Sequence, residues 1–359
     1  MRSEFWQNII EQTDSDESGN KLPFLSLAPM EAVTDVVFRH VVASAARPDV
    51  FYTEFTNASS FASPKGVHST RGRLAFTTDE QPIIAQIWGS KPEAIEFMSK
   101  GLVDLGYKAI DINMGCPDKS VVKSGGGSNL IRTPELASEI IAAAKKSGLP
   151  ISVKTRLGYS KIEEYKEWLG FILSQNVEVL TVHLRTKKEM SKVPAHFEMI
   201  DDILALRDEI APNTLIQVNG DIKNRQQALE IWRKHPKLDG IMIGRGIFED
   251  PFCFSNNSET DHTRPDYMNL LNLHLDEFDK FSTEETPRKF DPLKRFFKIY
   301  VRNFKGASDL RARLMLTKNT FEAREVLNDF GNNYEELLEN YARISEEYHK
   351  SKNEDATKE

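Results

Sequence analysis

The sequence predicts a (β/α)8 barrel in residues 22–255, followed by a small all-helical domain in residues 265–350. Eight short apolar runs alternate with longer segments of helical periodicity as far as Phe252, and beyond it only helical segments continue. Parallel strands that are buried on both faces read as continuous apolar runs rather than as alternating ones. Eight strand–helix units in succession are typical of a closed barrel whose site lies at the C-terminal ends of the strands.

The elements follow one another in a regular order. Residues 1–21 are polar and predict a short helix or arm. The eight predicted strands are Leu22–Met30, Val50–Phe55, Ile83–Trp88, Ala109–Asn113, Ile151–Thr155, Val179–His183, Leu215–Asn219 and Gly240–Gly244. The helical segments between them include Pro92–Leu105, Pro134–Ser147, Ile162–Ser174, Phe197–Glu209 and Arg225–Lys234. After a polar linker, Asn256–Arg264, come Tyr267–Phe281, Pro292–Phe304, Leu310–Thr320 and Asn333–His349, and residues 351–359 predict a disordered tail.

The composition is that of a soluble globular protein. Of the 359 residues, 40% are hydrophobic and 28% are charged, and no apolar run approaches the roughly 20 residues that span a bilayer. The acidic N-terminus lacks the order of a signal peptide, so we expect a cytoplasmic protein, and we expect it to be a monomer. Cys116 and Cys253 are the only cysteines. Because no Cys/His cluster accompanies them, the sequence disfavours a metal centre and a disulfide framework.

Positive charge is concentrated in the predicted helical domain, although the net charge of the chain is −7. The ten basic residues between Pro287 and Phe321 face only two acids, Asp291 and Asp309; the ten are Arg288, Lys289, Lys294, Arg295, Lys298, Arg302, Lys305, Arg311, Arg313 and Lys318. Such a stretch is either a solvated helix face or a surface for a polyanion such as nucleic acid.

Polar residues collect at the C-terminal ends of the predicted strands. The strand ends carry Met30, Glu54, Gln86, Asn113 with Cys116, Lys154 with Arg156, His183 with Arg185, Asn219 with Asp221, and Gly244 with Arg245. In a barrel these ends share one rim, so we expect one common pocket. Its cations favour an anionic ligand, although Lys154 alone could equally be a rim lysine that reaches solvent.

The loops after the last two strands predict a phosphate site. Asn219-Gly220-Asp221 and Gly244-Arg245-Gly246 stand where barrels commonly bind phosphate with backbone N–H groups. With Gln86, Lys154 and Asn113 further inside, the pocket suits a phosphorylated planar cofactor. The alternative for Gln86 is a polar residue that merely ends its strand.

Cys116 follows the fourth predicted strand and has several possible roles. A cysteine there could be a nucleophile, a metal ligand, a proton donor or an inert core thiol. The lack of partner ligands disfavours the metal. Cys253, beside Pro251 and Phe252, has an apolar setting that predicts a structural role.

Six motifs together resemble the bacterial type of the tRNA-dihydrouridine synthase family. In chain order they are Ala28-Pro29-Met30-Glu31-Ala32-Val33-Thr34-Asp35 with Phe38-Arg39, Asp111-Ile112-Asn113-Met114-Gly115-Cys116-Pro117, Val153-Lys154-Thr155-Arg156-Leu157-Gly158, His183-Leu184-Arg185-Thr186, Asn219-Gly220-Asp221 and Gly244-Arg245-Gly246. The resemblance covers Leu22 to Phe252, and the helical remainder agrees with the RNA-binding domain of that family.

The resemblance implies an FMN enzyme, reduced by NADPH or NADH, that saturates the 5,6 double bond of uridines in tRNA. It implies an FMN-binding barrel in residues 22–255 and an RNA-binding domain in residues 265–350. Pro29, Met30 and Glu31 would wrap the flavin, Gln86 and Lys154 would meet its ring, and His183, Asn219, Gly220, Asp221, Gly244 and Arg245 would hold its ribityl and phosphate groups. Cys116 would be the acid that protonates C5 of uracil while hydride passes from the flavin to C6.

The remaining predicted site residues would contact the RNA. They are Asn113 at the uracil or its ribose, Arg156 and Arg185 on the barrel rim, and Lys294, Arg295 and Lys298 in the helical domain. Two segments depart from the family pattern: Ser191–Phe197 stands where many members have Tyr-x-Gly-x-Ala-x-Trp, and Ser124–Gly127 resembles only some members. Both lie near the predicted substrate entrance, so they bear on RNA specificity more than on catalysis.

Three alternatives accompany this interpretation. The same reaction on ribosomal RNA fits the motifs, because nothing in the sequence identifies the target loop. An FMN barrel oxidoreductase for a small molecule, similar to dihydroorotate dehydrogenase, would leave the basic helical domain unexplained. A barrel that has lost its chemistry and only binds or chaperones RNA is disfavoured by Cys116, Lys154 and the phosphate loops.

Overall fold

A computed structural model describes residues 2–64, 66–256, 262–284, 286–336, 338–339 and 341–343. The chain forms two compact units that divide after residue 259. The predicted tail 351–359, most of the predicted linker and the end of the last predicted helix lie outside the described residues. Within the described residues, no helix has the length and apolar character needed to cross a membrane.

The first unit is a closed barrel of parallel strands, which confirms the predicted fold class. Its strands are β1 (Phe24–Leu27), β2 (Phe51–Tyr52), β3 (Thr56–Asn57), β4 (Ile83–Trp88), β5 (Ile110–Asn113), β6 (Ile151–Arg156), β7 (Val179–His183), β8 (Leu215–Asn219) and β9 (Gly240–Ile243). They pair in the order β1-β9-β8-β7-β6-β5-β4-β2, and a parallel bridge from Ser26 to Val50 closes the ring. All eight predicted runs therefore contain strand, and β3 adds a short piece that pairs with β4.

Helices surround the strands. They are α1 (Glu4–Gln12), α2 (Val36–Ala46), α3 (Ala58–Phe61), α4 (Val67–Arg73), α5 (Pro92–Asp104), α6 (Lys119–Lys123), α7 (Pro134–Lys145), α8 (Tyr165–Ser174), α9 (Ile200–Ile210), α10 (Arg225–Lys234) and α11 (Gly246–Glu249). Pro92 and Pro134 begin α5 and α7, where the missing N–H is not needed, and the Asn224 side chain caps α10. These starts fix how each helix returns the chain to the N-terminal end of the next strand.

The N-terminal segment closes the end of the barrel opposite the site. Trp6 on α1 is fully buried, with its ring centroid 5.4 Å from that of Phe24. It packs in one core cluster with residues from the strand starts, among them Val179 and Leu215. The segment predicted as a short helix or arm is therefore a helix with a buried apolar face, and the polar composition of residues 1–21 obscures that face.

The second unit contains only helices among its described residues. They are α12 (Arg264–Phe281), α13 (Phe297–Tyr300), α14 (Ala307–Leu316) and α15 (Thr320–Asn332), with a 3-10 helix at Asp291–Phe296 and further helical residues at 334–336, 338–339 and 341–343. His274 on α12 and the Tyr300 hydroxyl are hydrogen-bonded at 2.7 Å. Arg324 on α15 forms ion pairs with Asp276 and Asp279. These contacts, together with the buried Leu271, Leu275 and Leu310, hold the helices as one body.

Candidate active site

The C-terminal strand ends meet at one rim and enclose a cavity. The register of β5 to β8 sets Asn113 beside Lys154, Arg156 beside His183, and His183 beside Asn219. Since the strands are parallel, these side chains form adjacent rows at one end of the barrel. The cavity has a volume of about 450 Å³, which lies in the range of small-molecule sites.

Most residues predicted to bind a cofactor line this cavity. They are Pro29, Met30, Lys154, His183, Asn219, Gly220, Asp221, Gly244 and Arg245, with Arg185 and Ser191 as further lining residues. Among the described residues, the lining does not include Glu31, Gln86, Asn113, Cys116 or Arg156. The structure therefore brings together the predicted phosphate and ribityl residues and leaves five predicted site residues beside them.

Asp221 organises the cationic end of the cavity. Its carboxylate accepts hydrogen bonds from Arg185, from Arg245 at 2.9 Å and from the Ala195 amide at 3.0 Å. Gly220, with φ of 128°, turns the chain into this loop. A Cβ at Gly220 would lie 3.1 Å from the Cβ of Ala195, so glycine is needed for both the backbone angle and the close approach.

Lys154 and His183 have different charge states in the same cavity. Burial, reinforced by Arg156, lowers the pKa of Lys154 to about 8, so the ammonium is mostly protonated at pH 7. Burial and the surrounding cations hold the pKa of His183 well below its usual range, so its ring is neutral. Arg185 Nη1 lies 3.2 Å from His183 Nε2. Because a guanidinium only donates, Nε2 accepts and the ring proton is on Nδ1.

Asn219 fixes the position of the Lys154 ammonium. Lys154 Nζ donates to Asn219 Oδ1 at 3.2 Å, and Asn219 Nδ2 donates to the Met242 carbonyl at 2.9 Å. The carbonyl of Met242 can only accept, so it sets the orientation of the Asn219 amide and turns Oδ1 towards Lys154. The ammonium is thus held at the cavity wall with donors to spare for a ligand.

A chain of hydrogen bonds, each with a fixed donor and acceptor, lies beneath the loop that follows β5. Gln86 Nε2 donates to Asp111 Oδ2 at 2.6 Å, and Asn113 Nδ2 donates to Gln86 Oε1 at 3.0 Å. Asn113 Oδ1 then accepts from the amides of Gly115 at 3.1 Å and Cys116 at 2.9 Å. Gln86 is fully buried, and its side-chain nitrogen and oxygen are both hydrogen-bonded in this chain. Its predicted contact with a cofactor ring therefore stays a prediction.

Cys116 is held in a tight loop with a protonated thiol. Its carbonyl accepts from the Ser128 amide at 3.0 Å, and Gly127 crosses so closely that a Cβ there would lie 2.8 Å from that carbonyl oxygen. Burial raises the pKa of the thiol, and the Asp118 charge adds to the rise although the Asp118 amide opposes it. A protonated thiol fits a proton donor better than a thiolate nucleophile. No group of metal-ligating side chains occurs among the described residues.

Arg156 and Arg185 hold the loop that follows β7. Arg156 Nε donates to the Gly115 carbonyl at 2.8 Å, while its Nη1 donates to the carbonyls of Thr186 and Met190. Arg185 Nε donates to the Val193 carbonyl at 2.6 Å. Their side chains are only 5% and 2% exposed. The structure thus uses both guanidinium groups to anchor a loop, and the predicted RNA contacts of these two residues stay predictions.

Glu31 lies at the edge of the site. It forms a two-pronged ion pair with Arg73, while the neighbouring Ala32 amide donates to Glu54. Burial raises the pKa of Glu54 to about 7, with the charge of Asp35 adding to the rise and Arg73 opposing it. This network fixes the Pro29–Ala32 turn whose first two residues line the cavity.

The three residues of the helical domain predicted to contact RNA differ in whether their side chains are exposed and unpaired. Lys294 Nζ pairs with Asp291 at 2.9 Å, and the Lys294 side chain is 14% exposed. Arg295 is exposed, with Nε on the Pro292 carbonyl, and Lys298 is exposed. Arg295 and Lys298 are therefore available to a partner, whereas Lys294 is largely committed.

Asp111 and Arg73 are site residues that the sequence analysis did not single out. Asp111 stands two positions before Asn113 on β5, and residues two apart on a strand face the same side. Gln86 is the register partner of Asp111 on β4. The strand period could therefore have identified Asp111, whereas nothing in the sequence pairs Arg73 with Glu31, 42 positions earlier.

Comparisons with known proteins point to one protein family. The family model "Dihydrouridine synthase (Dus)" matches residues 26–339. The chain is 54% identical over 330 residues to a probable tRNA-dihydrouridine synthase of Staphylococcus epidermidis, covering 92% of this chain and 97% of the relative. It is 55% identical over 317 residues to probable tRNA-dihydrouridine synthase 2 of Bacillus subtilis, covering 88% and 97%. Among solved structures, an old yellow enzyme homologue from Zymomonas mobilis aligns with a TM-score of 0.42 and 13% identity, over 65% of this chain and 86% of that one.

The family model spans most of the chain. Both relatives align with the chain over 97% of their own length. The motifs at the strand ends, the cationic cavity and the cysteine loop all lie within the matched residues. The chain therefore belongs to the dihydrouridine synthase family of enzymes.

Proposed function

We propose that this protein reduces specific uridines of tRNA to dihydrouridine, with FMN as the bound flavin and NADPH as the reductant. The single observation that carries the proposal is a protonated, half-buried Cys116 thiol beside a cationic cavity of about 450 Å³. Membership of the family supports uridine reduction, and relatives that share more than half of their residues with this chain are named as tRNA enzymes.

The cavity residues fit a phosphorylated flavin. Ala28 and Met30 offer an apolar wall for a ring system, and Lys154 offers a cation that would stabilise negative charge on it. Arg245 at the Gly244–Gly246 turn is more than half exposed, so the donors that it does not give to Asp221 can meet a phosphate. In this arrangement His183, Asn219 and Gly220 would hold the ribityl chain between the two ends.

Cys116 would complete the reduction as the proton donor. When bound, reduced FMN supplies hydride to C6 of the uracil ring. The Cys116 thiol gives its proton to C5, which completes the new C–H bonds, and the resulting thiolate regains a proton from water. Asn113, which fixes the Cys116 amide, would orient the base, and the uridine must leave its stack to reach this loop.

The test is a reconstituted reaction. The purified protein, loaded with FMN and supplied with NADPH, is incubated with an unmodified tRNA transcript, and dihydrouridine is located by mass spectrometry of RNA fragments. A parallel reaction with a ribosomal RNA transcript separates the two RNA substrates, and a reaction with NADH compares the reductants. A protein that binds no flavin, or that reduces none of these RNAs, would contradict the proposal.

The affinity for FMN should fall at alkaline pH. Lys154 has a pKa of about 8 in the free protein, and a protonated ammonium favours an anionic ligand. Raising the pH from 7 to 9 removes that proton, so we expect the Kd for FMN to rise by up to about tenfold. Flavin fluorescence titrations of the apoprotein measure it. Lys154→Met should bind FMN more weakly with no pH dependence in this range, and a variant that keeps the wild-type pH dependence would contradict the assignment.

The exposed cations of the helical domain should contribute to RNA binding. Arg295→Ala with Lys298→Ala removes two free charges, so we expect weaker tRNA binding and a salt slope that falls by about 1 to 2. Lys294→Ala is the comparison, because its charge is paired with Asp291 and its loss should matter less. Filter binding at several salt concentrations checks this. Equal slopes for the wild type and the double variant would contradict the predicted RNA surface.

A further inference from the structure

The ring of Tyr159 contacts cationic side chains from two neighbouring loops at the rim of the barrel. It lies just beyond β6, with the Arg132 guanidinium carbon 4.4 Å and Lys187 Nζ 4.9 Å from its ring centroid. The Lys187 and Lys188 amides donate to the carbonyls of Gly158 and Tyr159 at 2.9 Å. Three separate loops are thereby joined around one aromatic ring, and Lys188 is brought next to it.

These cations are not neutralised by carboxylates. Among the described residues, Arg132 bonds only to the Asn129 amide oxygen, and Lys187 and Lys188 form no ion pair. Two carboxylates of the same loops, those of Glu164 and Glu189, have other partners. Glu164 accepts from the backbone amides of residues 159–161, and Glu189 accepts from Thr186 and pairs with His196. A positive surface therefore remains on a chain whose net charge is −7.

The ring orders these cations without using up their donors. A cation over the face of a phenol ring is attracted by the ring electrons and is not neutralised by an opposite charge, so it can still bind an anion. Arginine in this position keeps a planar fork of donors that matches phosphate oxygens. The loss of side-chain entropy on binding is smaller because the ring already restricts Arg132 and Lys187.

The surface lies beside the reactive cysteine. Arg132 ends the 3-10 helix Gly127–Arg132, and the second residue of that helix, Ser128, donates its amide to the Cys116 carbonyl. Lys187 and Lys188 follow β7, whose last residue His183 lines the cavity. An RNA whose uridine is turned out towards Cys116 would bring its flanking phosphates to the rim around this loop.

We propose that Arg132 and Lys187, ordered by the Tyr159 ring, form together with the adjacent Lys188 a surface on the barrel that binds the RNA backbone next to the target uridine. The inference rests on the proposed function, since it assumes an RNA substrate for the Cys116 site. An RNA backbone fits better than an acidic protein, because its closely spaced phosphates match several donors in one small surface. The surface belongs to the catalytic unit and acts in addition to the helical domain.

The test compares two triple variants of the full-length, FMN-loaded protein. Arg132→Ala, Lys187→Ala and Lys188→Ala remove this surface. Lys108→Ala, Arg233→Ala and Lys234→Ala remove one arginine and two lysines that are exposed at the opposite end of the barrel, before β5 and β9. Both variants change the net charge equally. The Kd for an unmodified tRNA transcript is measured between 50 and 300 mM salt, together with dihydrouridine formation.

We expect the rim variant to lose at least about tenfold in affinity at moderate salt, with a salt slope lower by about 2. The control variant should stay close to the wild type. Tyr159→Leu keeps every charge, so it should weaken binding several-fold with an unchanged slope. Equal Kd values and slopes for the two triple variants, while the wild type still forms dihydrouridine, would overturn this inference and leave the proposed function intact.

Two further outcomes would also overturn it. If the rim variant raised the KM for NADPH without changing RNA affinity, the surface would serve the nucleotide instead. If poly-glutamate of equal charge competed as well as RNA for the wild type but not for the rim variant, the surface would select acidic protein. A wild type that neither binds nor modifies the transcript would contradict the proposed function, and the inference with it.

Discussion

Cys116→Ala should bind FMN like the wild type, and NADPH should reduce the bound flavin at the wild-type rate. Dihydrouridine should form about 10² to 10⁴ times more slowly. The variant removes the proton donor and leaves the cavity lining unchanged, since Cys116 is not among its lining residues. The loop should keep its shape, because the Cys116 contacts to Asn113 and Ser128 are made by backbone atoms. Stopped-flow measurement of flavin reduction, and then of flavin reoxidation by tRNA, separates the two half-reactions.

Cys253→Ala is the matched control, since it removes the other cysteine at a buried position of the first unit, and we expect full activity. The raised pKa of the Cys116 thiol gives a second measurement. Because the reactive thiolate is scarce at pH 7, alkylation of Cys116 should be slow and should accelerate as the pH rises above 9. Full dihydrouridine formation by Cys116→Ala, or rapid alkylation at pH 7, would contradict the assignment of an acid.

The strands of the barrel could be predicted because burial dictates their composition. A run such as Ile151–Thr155 lies between neighbours on both sides and helices behind it, so apolar residues are required along most of it. The shared rim followed from the same pattern, since polar residues appear where each strand leaves the core. A short helix or arm is predicted for residues 1–21, but the burial of Trp6 is not, because the apolar face of this helix is short and stands among charged residues.

The chemistry of individual side chains was harder to predict than their location. Arg156 and Arg185 stand at strand ends, as expected, but several of their donors bind backbone carbonyls of the loops after β5 and β7. Every residue has a carbonyl, so no sequence pattern marks such a partner. Gln86 shows the same limit, because its partner Asn113 is 27 positions away and the two side chains meet only in the fold.

Asp111→Asn should lower the rate of dihydrouridine formation by about 10²-fold without destabilising the protein. Asp111 is fully buried and accepts from Gln86 Nε2 and from Ser152 Oγ, both at 2.6 Å. An ionised carboxylate cannot donate, so it forces Gln86 to present Oε1 to Asn113 and Asn113 to present Oδ1 to the Cys116 amide. An asparagine at position 111 can donate as well as accept, so the two amides can turn over and release the cysteine loop.

The pH dependence of the reaction rate distinguishes the positioning role of Asp111 from a merely structural role. Burial raises the pKa of Asp111 to about 6, against the hydrogen bonds of Ser152 and Gln86. The wild-type rate should therefore fall as the pH drops through about 6, where Asp111 gains a proton and ceases to be an obligate acceptor, while Cys116 stays protonated. The rate of Asp111→Asn should not fall in this pH range. Ser152→Ala removes a hydrogen bond that lowers the pKa of Asp111, so in that variant the fall in rate should occur at higher pH.

Stability provides the control for Asp111→Asn. A carboxyl whose folded pKa is raised makes the fold less stable as the pH rises from its ordinary pKa to the raised one. At pH 7 the ionised Asp111 thus costs stability, and the neutral isostere should unfold at the same temperature as the wild type or higher. A variant that loses activity only in proportion to a fall in Tm, or one with the wild-type rate and the wild-type fall in rate at acidic pH, would contradict the positioning role. Slow turnover in a stable protein without that fall would mean that one buried charge sets the direction of every hydrogen bond from β4 to Cys116.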